Sequence, residues 1–415
     1  MIAEIIAVGS EMLTPFRQDT NSLFLTSRLN ALGVEVGFKG IVGDNREHLV
    51  NAARTALGRA NVLIFSGGLG PTEDDLTRES VAEALGIELR RDPDLVAELY
   101  ARFAQRRIKM PENNLKQADV IDGAEVIRNP RGSAPAQWLE GTHLRQQRII
   151  ILLPGPPWEL EPLFRDEFEP RLRTVLPEAF LATKEIKVAM MGESAADLKA
   201  APIYKKHKDV QTTILAGAGE VQFHLKASGS SMTEAQQKVD SLANELEDAL
   251  DDAVFSSAGE SLEQIVGYYL QMRGATLATA ESCTGGLLAE RLTRVSGSSR
   301  YYLGGAVVYS NDLKKAFAEV PPLLIAEHGA VSKEVAIAMA EGIRKKCKAT
   351  LGIGITGVAG PTGGTELKPV GLVYIALADG VNKPEVVERK FLGDRDRIRH
   401  WASQQALDMV RRKLV

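Results

Sequence analysis

The sequence predicts an α/β protein, with a three-layered α/β domain at each end and a small α+β unit between them. Three observations predict it. Short apolar runs alternate with amphipathic helical patterns over residues 1 to about 170, the alternation stops between about 175 and 255, and it resumes from about 260 onward. A chain of 415 residues also exceeds one ordinary domain. The boundaries fall at 1–172, 173–255 and 256–415.

In the first part the apolar runs "EIIAVG", "EVGFKGIVG", "NVLIFSGG" and "RIIILLPG" read as strands. Between them "NSLFLTSRLNALG", "REHLVNAARTALGRA" and "TRESVAEALG" carry helical spacing, which implies βαβ units and a largely parallel sheet covered on both faces. The middle part offers "KEIKVAMMG", "QTTILAGAGEVQFHLKAS" and the long pattern "MTEAQQKVDSLANELEDALDD", two or three strands and one amphipathic helix. "VQFHLKA" alternates like a strand with one wet face, and "FSSAGES" at 255–261 reads as a linker. In the last part a helix "SLEQIVGYYLQMRG" is followed by strand "ATLATA", helix "GGLLAERLTRV", strand "GGAVVYS", helix "SKEVAIAMAEGIRKK", strands "TLGIGITG", "PVGLVYIALAD" and "EVVERKFL", and the helix "DRIRHWASQQALDMVRRKLV". Because its last three strands follow one another without a helix, that sheet is mixed.

Fifty basic side chains stand against 54 acidic ones, for a formal net charge of −4, which excludes a general attraction to DNA phosphates or an anionic membrane. Two cysteines, Cys283 and Cys347, cannot build a disulfide framework and fit a reducing compartment. The opening "MIAEIIAVGSEML" has no basic region or cleavage-like site, and no apolar run approaches the roughly 20 residues that span a bilayer. The expectation is a soluble cytoplasmic protein.

Open α/β sheets bind ligands at the C-terminal ends of strands, where glycines admit close backbone approach and helix N-termini offer unpaired N–H groups. "FSGGLGPTEDDLTRE" at 65–79 has that layout. Ser66, Gly67, Gly68 and Gly70 could wrap a phosphate, while Glu73, Asp74 and Asp75 suit either a hydrated divalent cation or simple helix capping. "TGVAGPTGGTELKP" at 356–369 echoes this loop without its acids. In "AESCTGG" the hydroxyls of Ser282 and Thr284 and the thiol of Cys283 stand between a strand and a helix, with candidate oxyanion donors at Thr284, Gly285 and Gly286. None of the six histidines lies in a triad motif, so a desolvated lysine from "VVYSNDLKKAF", Lys314 or Lys315 beside Tyr309, is the available base. The residues alone leave three readings: a serine nucleophile, a thiol nucleophile, or a structural helix cap. Arg395 and Arg399 share one helix face and suit a phosphate, or pair with Asp394 and Asp396 as a solvated face.

These motifs carry a resemblance. "TAESCTGG", "VVYSN", "HGAVS", "ITGVAGPTGG", "KPVG" and "GDRD" resemble the nicotinamide mononucleotide (NMN) deamidase domain, and "VGSEML", "DTNS", "SGGLGPTEDDLT" and "LPGPPWE" resemble the molybdopterin-binding-type fold. Joined by a KH-like middle module, they are similar to the competence/damage-inducible CinA family over essentially the whole chain. The resemblance implies hydrolysis of NMN to nicotinate mononucleotide and ammonia without a cofactor. Ser282 would be the nucleophile, Lys314 its base and Tyr309 an orienting group. Thr356, Gly357 and Gly360 would help hold the amide or nucleotide, and Arg395 and Arg399 the 5′-phosphate. It also implies an ADP-ribose pyrophosphatase in the first domain, served by a divalent metal and K+, with Asp75, Asp74, Glu73, Asp19 and Asp44 as metal ligands. Pro15 departs from the glycine usual there and restricts the loop beside Asp19. The resemblance further implies a homodimer. A non-catalytic pterin- or nucleotide-binding role for the first domain is the alternative. Nucleic-acid binding is not expected, since "AGAGEV" only loosely approximates a G-x-x-G clamp.

Overall fold

The computed structural model describes residues 1–143, 146–177 and 180–415. The chain forms two compact units, Met1–Leu181 with Ser228–Met232 and Ala182–Ala227 with Thr233–Val415.

The first unit contains strands β1 (Ile2–Val8), β2 (Glu35–Val42), β3 (Val62–Ser66), β4 (Leu89–Arg91), β5 (Asp119–Ile121), β6 (Glu125–Ile127), β7 (Ala136–His143) and β8 (Gln146–Leu153). Its helices are α1 (Thr20–Ala31), α2 (Arg46–Arg59), α3 (Thr77–Leu85), α4 (Pro93–Gln105), α5 (Pro157–Leu163) and α6 (Glu169–Val175). The main sheet has the order β2-β1-β3-β8-β7-β6. Its first four strands are parallel, as the alternation predicts; β7 and β6 add an antiparallel edge whose mixed composition gave no apolar run.

Period two divides the sheet between two cores. Ile6, Val8, Leu63, Phe65, Ile150 and Leu152 face a core closed by Leu49 of α2, Val81 of α3 and Leu95 of α4. Ala3, Ile5, Val62, Ile64, Ile149 and Ile151 face one closed by Leu25 of α1, Leu160 of α5 and Leu172 of α6. Phe65, Phe164 and Phe168 are fully buried, each contributing about 1.5–3 kcal/mol by leaving water.

The second unit begins with strands β9 (Phe180–Ala189), β10 (Val210–Gly217), β11 (Glu220–Gly229) and β12 (Val254–Ser256), and helices α7 (Glu193–Tyr204) and α8 (Met232–Leu250). They form a four-stranded sheet of order β10-β11-β9-β12. Val221, Phe223, Leu225 and Ala227 alternate inward along β11, and α8 buries Ala235, Val239, Leu242, Leu246 and Leu250 at helical spacing.

There follow α9 (Leu262–Met272), β13 (Leu277–Glu281), α10 (Leu287–Thr293), β14 (Tyr302–Val307), α11 (Asn311–Ala318), α12 (Pro322–His328), α13 (Lys333–Cys347), β15 (Leu351–Gly357), β16 (Leu372–Ala378), β17 (Glu385–Lys390) and α14 (Arg395–Leu414). The sheet order is β14-β13-β15-β16-β17, parallel across β14, β13 and β15 and antiparallel thereafter, the mixed sheet that the consecutive strands predict. Helix α13 lies so close to β15 that a Cβ on Gly354 would stand 2.3 Å from the Ala336 carbonyl oxygen. Helix α14 packs Ala402, Ala406, Leu407 and Val410 into the opposite core with Val266, Leu270 and Ile375. It also meets the four-stranded sheet's elements: Gln404 Nε2 donates to the Gly219 carbonyl at 3.4 Å, and Arg411 donates to the carbonyls of Asp252 at 2.6 Å and Val254 at 3.2 Å. Among the described residues no helix is long and apolar enough to cross a membrane.

Candidate active site

β13 delivers the nucleophile candidates. Its ladder with β15 extends one residue beyond the strand, the Ser282 N–H donating to the Ile355 carbonyl at 2.9 Å. The chain then turns through Cys283 and Thr284 into Gly285 (φ 62°) and Gly286 (φ 92°), left-handed conformations that a side chain would resist, before α10 starts. Ser282 is 8% exposed and Thr284 fully buried.

Lys314 reaches this turn from α11, a helix of eight residues that periodicity does not predict. Ser310 caps it, accepting from the Leu313 N–H at 3.2 Å. The Lys314 side chain is 2% exposed, and its Nζ lies 3.0 Å from Ser282 Oγ, 3.0 Å from the Val308 carbonyl and 3.5 Å from the Tyr309 carbonyl. Burial holds this amine below the ordinary lysine value. A neutral amine has two hydrogens and one lone pair. If the two carbonyls take the hydrogens, the lone pair faces the serine hydroxyl, the geometry a general base requires. Lys315 instead pairs with Asp312 at the surface.

Cys283 has the opposite character. Burial pushes its thiol up to about 12, so it stays protonated and unreactive, and among the three sequence readings the thiol nucleophile is the one the surroundings oppose.

Other expected site residues take more specific places. The expected oxyanion hole at 284–286 is partly occupied: the Gly285 N–H donates to the Ser282 carbonyl at 3.1 Å and the Gly286 N–H to the Glu281 carboxylate at 3.0 Å. Arg399 directs Nε and Nη2 to the Thr284 carbonyl at 3.1 and 2.8 Å, so its fork braces the turn. Arg395 donates to the Gly360 carbonyl at 2.8 Å and the Tyr309 hydroxyl at 2.7 Å. Tyr309 thus presents its carbonyl to Lys314 and its hydroxyl to Arg395 rather than to Ser282. Thr356 is buried at the end of β15 beside Gly357 and donates to the Ala330 carbonyl at 2.7 Å. Glu281 and Val308 lie outside the sequence-predicted set; only the place of Glu281 beside the serine points to it.

In the first unit a cleft of about 510 Å³ opens at the C-terminal ends of β1, β3 and β8, as the open-sheet rule predicts. Ser66, Gly67, Gly68 and Gly70 line it. Gly67 has φ 104° and could carry no Cβ, which would lie 2.3 Å from the Val8 carbonyl oxygen. The fully buried Arg78, missed in the sequence, supports the loop by donating to the carbonyls of Leu69 at 2.9 Å and Gly70 at 3.1 Å. Asn21 holds Ser66 Oγ at 2.9 Å and the Gly155 carbonyl at 2.7 Å.

The expected metal ligands do not converge. Among the described residues no three His, Cys, Asp or Glu side chains are grouped to hold a metal ion. Asp19 caps α1 through the Ser22 N–H, Asp44 accepts from the Ser10 N–H at 2.7 Å, and Asp75 accepts from the N–H and hydroxyl of Thr72. Asp44, Asp74 and Asp75 line the cleft, whereas Glu73 and Asp19 are not among its walls. The acids at 73–75 also precede α3, which starts at Thr77, rather than occupying its first turn. As placed, these residues do not fit a resident metal.

Fold and sites together define a three-part α/β protein with a cleft in its first domain and a Ser/Lys pair in its last. Residues 4–174 match the probable molybdopterin binding domain, 183–256 the damage-inducible protein CinA KH domain and 259–414 the CinA C-terminal domain. The chain is 64% identical over 415 residues to a CinA-like protein of Koribacter versatilis, covering 100% of both chains. To a putative competence-damage inducible protein of Moorella thermoacetica it is 42% identical over 416 residues, covering 100% of this chain and 99% of that one. The solved competence/damage inducible protein CihA from Agrobacterium tumefaciens is 36% identical, with 36% of this chain and 90% of that chain covered and a TM-score of 0.35. The chain belongs to the CinA family.

Proposed function

We propose that the Ser282–Lys314 site is an amidohydrolase site that converts NMN to nicotinate mononucleotide and ammonia in pyridine-nucleotide salvage. The observation that carries this reading is the buried Lys314 amine 3.0 Å from Ser282 Oγ, with its remaining contacts made to carbonyls.

Neutral Lys314 takes the Ser282 proton as Oγ attacks the carboxamide carbon. The tetrahedral adduct collapses as the lysine returns a proton to the leaving nitrogen, releasing ammonia and leaving an ester on Ser282. Water then attacks the ester, Lys314 accepting its proton, and nicotinate mononucleotide departs as the serine is reprotonated. Arg395, beside the Gly360 carbonyl at the mouth of the glycine-rich loop, supplies the guanidinium for the 5′-phosphate. Purified full-length protein given NMN releases ammonia, and Ser282→Ala abolishes the release. Full activity in that variant overturns the reading.

A second reading concerns the first unit: its cleft binds a nucleotide or pterin. The volume and the glycine-lined phosphate-sized loop support binding, and the dispersed acids give no support to metal-dependent cleavage. Incubation with ADP-ribose, Mg2+ and K+ tests this; bound, uncleaved ADP-ribose favours the binding module, and AMP production favours a pyrophosphatase. Two cysteines in the whole chain support a cytoplasmic setting, and a homodimer is the proposed assembly, on resemblance alone.

A further inference from the structure

The carboxylate of Glu281, immediately before the proposed nucleophile, is 1% exposed. One oxygen accepts from the N–H groups of Gly286 at 3.0 Å and Leu288 at 3.1 Å, and the other from Ala289 at 2.8 Å. The side chain therefore closes back on the loop that carries Ser282, and it fills the amino end of α10 with the protein's own negative group. Its backbone is fixed as well, paired with Ile355 and Val307 in the sheet and accepting from the Val308 N–H at 2.8 Å.

Two consequences follow. Gly285 and Gly286 are the least restrained residues a chain can use, and a turn built on them keeps one geometry only if its N–H and carbonyl groups are held. Arg399 holds the carbonyl side at Thr284, and Glu281 holds the amide side. A helix amino end is also the setting that ordinarily activates a neighbouring thiol, because its free N–H groups favour negative charge. Here those groups are spent. Burial is the largest cause that raises the Cys283 thiol, which stands 5% exposed inside the turn.

We propose that Glu281 is the positioning residue of the nucleophile turn: its contacts to three amides clamp the loop so that Ser282 Oγ stays on Lys314 Nζ and Cys283 stays shut inside the turn. Its effect on turnover rests on the amidohydrolase reading; the closure of the turn around Cys283 does not.

The test uses the full chain with Cys347→Ser, so that one thiol remains, and compares Glu281, Glu281→Gln and Glu281→Asp. Ammonia release from NMN gives kcat and KM, iodoacetamide labelling across pH 6 to 10 follows Cys283, and thermal melts select variants that remain folded. Glu281→Gln lowers kcat about 10–100-fold with KM within about threefold, the signature of a misplaced reacting group, and labels Cys283 about 10-fold faster than the parent at each pH because the turn opens. Glu281→Asp keeps the charge but cannot span the loop, so it loses kcat and gains labelling in the same way. A folded Glu281→Gln protein with parental kcat, or with an unmoved labelling profile, overturns the proposal. A parent that releases no ammonia from NMN sinks the amidohydrolase reading instead, and the labelling profiles still decide whether Glu281 holds the turn closed.

Discussion

Two donors of the Arg399 guanidinium, Nε at 3.1 Å and Nη2 at 2.8 Å, close on the single carbonyl oxygen of Thr284. Arg395, one helical turn earlier on α14, makes no such contact and holds Gly360 and Tyr309 instead. Two arginines on one helix face, equivalent in sequence, thus serve different ends.

Their variants separate accordingly. Arg399→Lys cannot form the fork, so kcat for NMN falls about 10–100-fold with little change in KM, as for a displaced reacting group. Arg395→Ala raises KM for NMN while leaving turnover of nicotinamide riboside, which lacks the phosphate, unaffected. Steady-state ammonia release on both substrates measures the split; equal effects of Arg395→Ala on the two would remove its phosphate role.

Lys314 sets a pH dependence. Burial lowers its proton affinity from the ordinary 10.5, and the base works only when neutral. Activity therefore rises with pH through a value below 10.5 and levels off above it. Stability follows the same direction: between the lowered value and 10.5 the unfolded chain holds more protons, so unfolding becomes harder as pH rises across that window, and the folded state is least favoured below it. Lys314→Met removes the activity and flattens this stability slope, read by urea unfolding at several pH values.

On the proposed Ser282–Lys314 reading, Cys283 is dispensable. With its thiol pushed up to about 12, the thiolate fraction at neutral pH is negligible, and Cys283→Ala keeps kcat within about threefold of the parent. Complete loss in that variant, with folding intact, would restore the thiol as nucleophile.

Gly354→Ala tests the packing under the site. The added methyl would press on the Ala336 carbonyl of α13, and the midpoint of chemical unfolding should drop by an amount corresponding to about 1–3 kcal/mol. An unchanged midpoint would mean that α13 yields freely.

Much of this was legible in the sequence. "NVLIFSGG" and "RIIILLPG" became parallel strands because both faces of their sheet are buried, which continuous apolar runs report directly. Ser282, Lys314 and the loop at 66–70 were marked by residue type and by position after strands. What stayed hidden was pairwise geometry. "SNDLKKAF" is a helix of two turns with a cap, too short for periodicity to announce. Glu281 reads as an ordinary strand-end residue until three amides converge on it. The five acids of the first domain look like a ligand set in one dimension, yet Asp19, Asp44 and Asp75 each already serve a local backbone or hydroxyl donor.

Helix α14 is a rod of 20 residues, about 30 Å long, that touches the Thr284 turn near its beginning, the Gly219 hairpin midway and the segment at 252–254 near its end. One beam therefore shares its bearings between the small sheet and the turn that carries Ser282. Natural changes of hairpin length in the former cannot accumulate silently, because each would lever the brace on the latter.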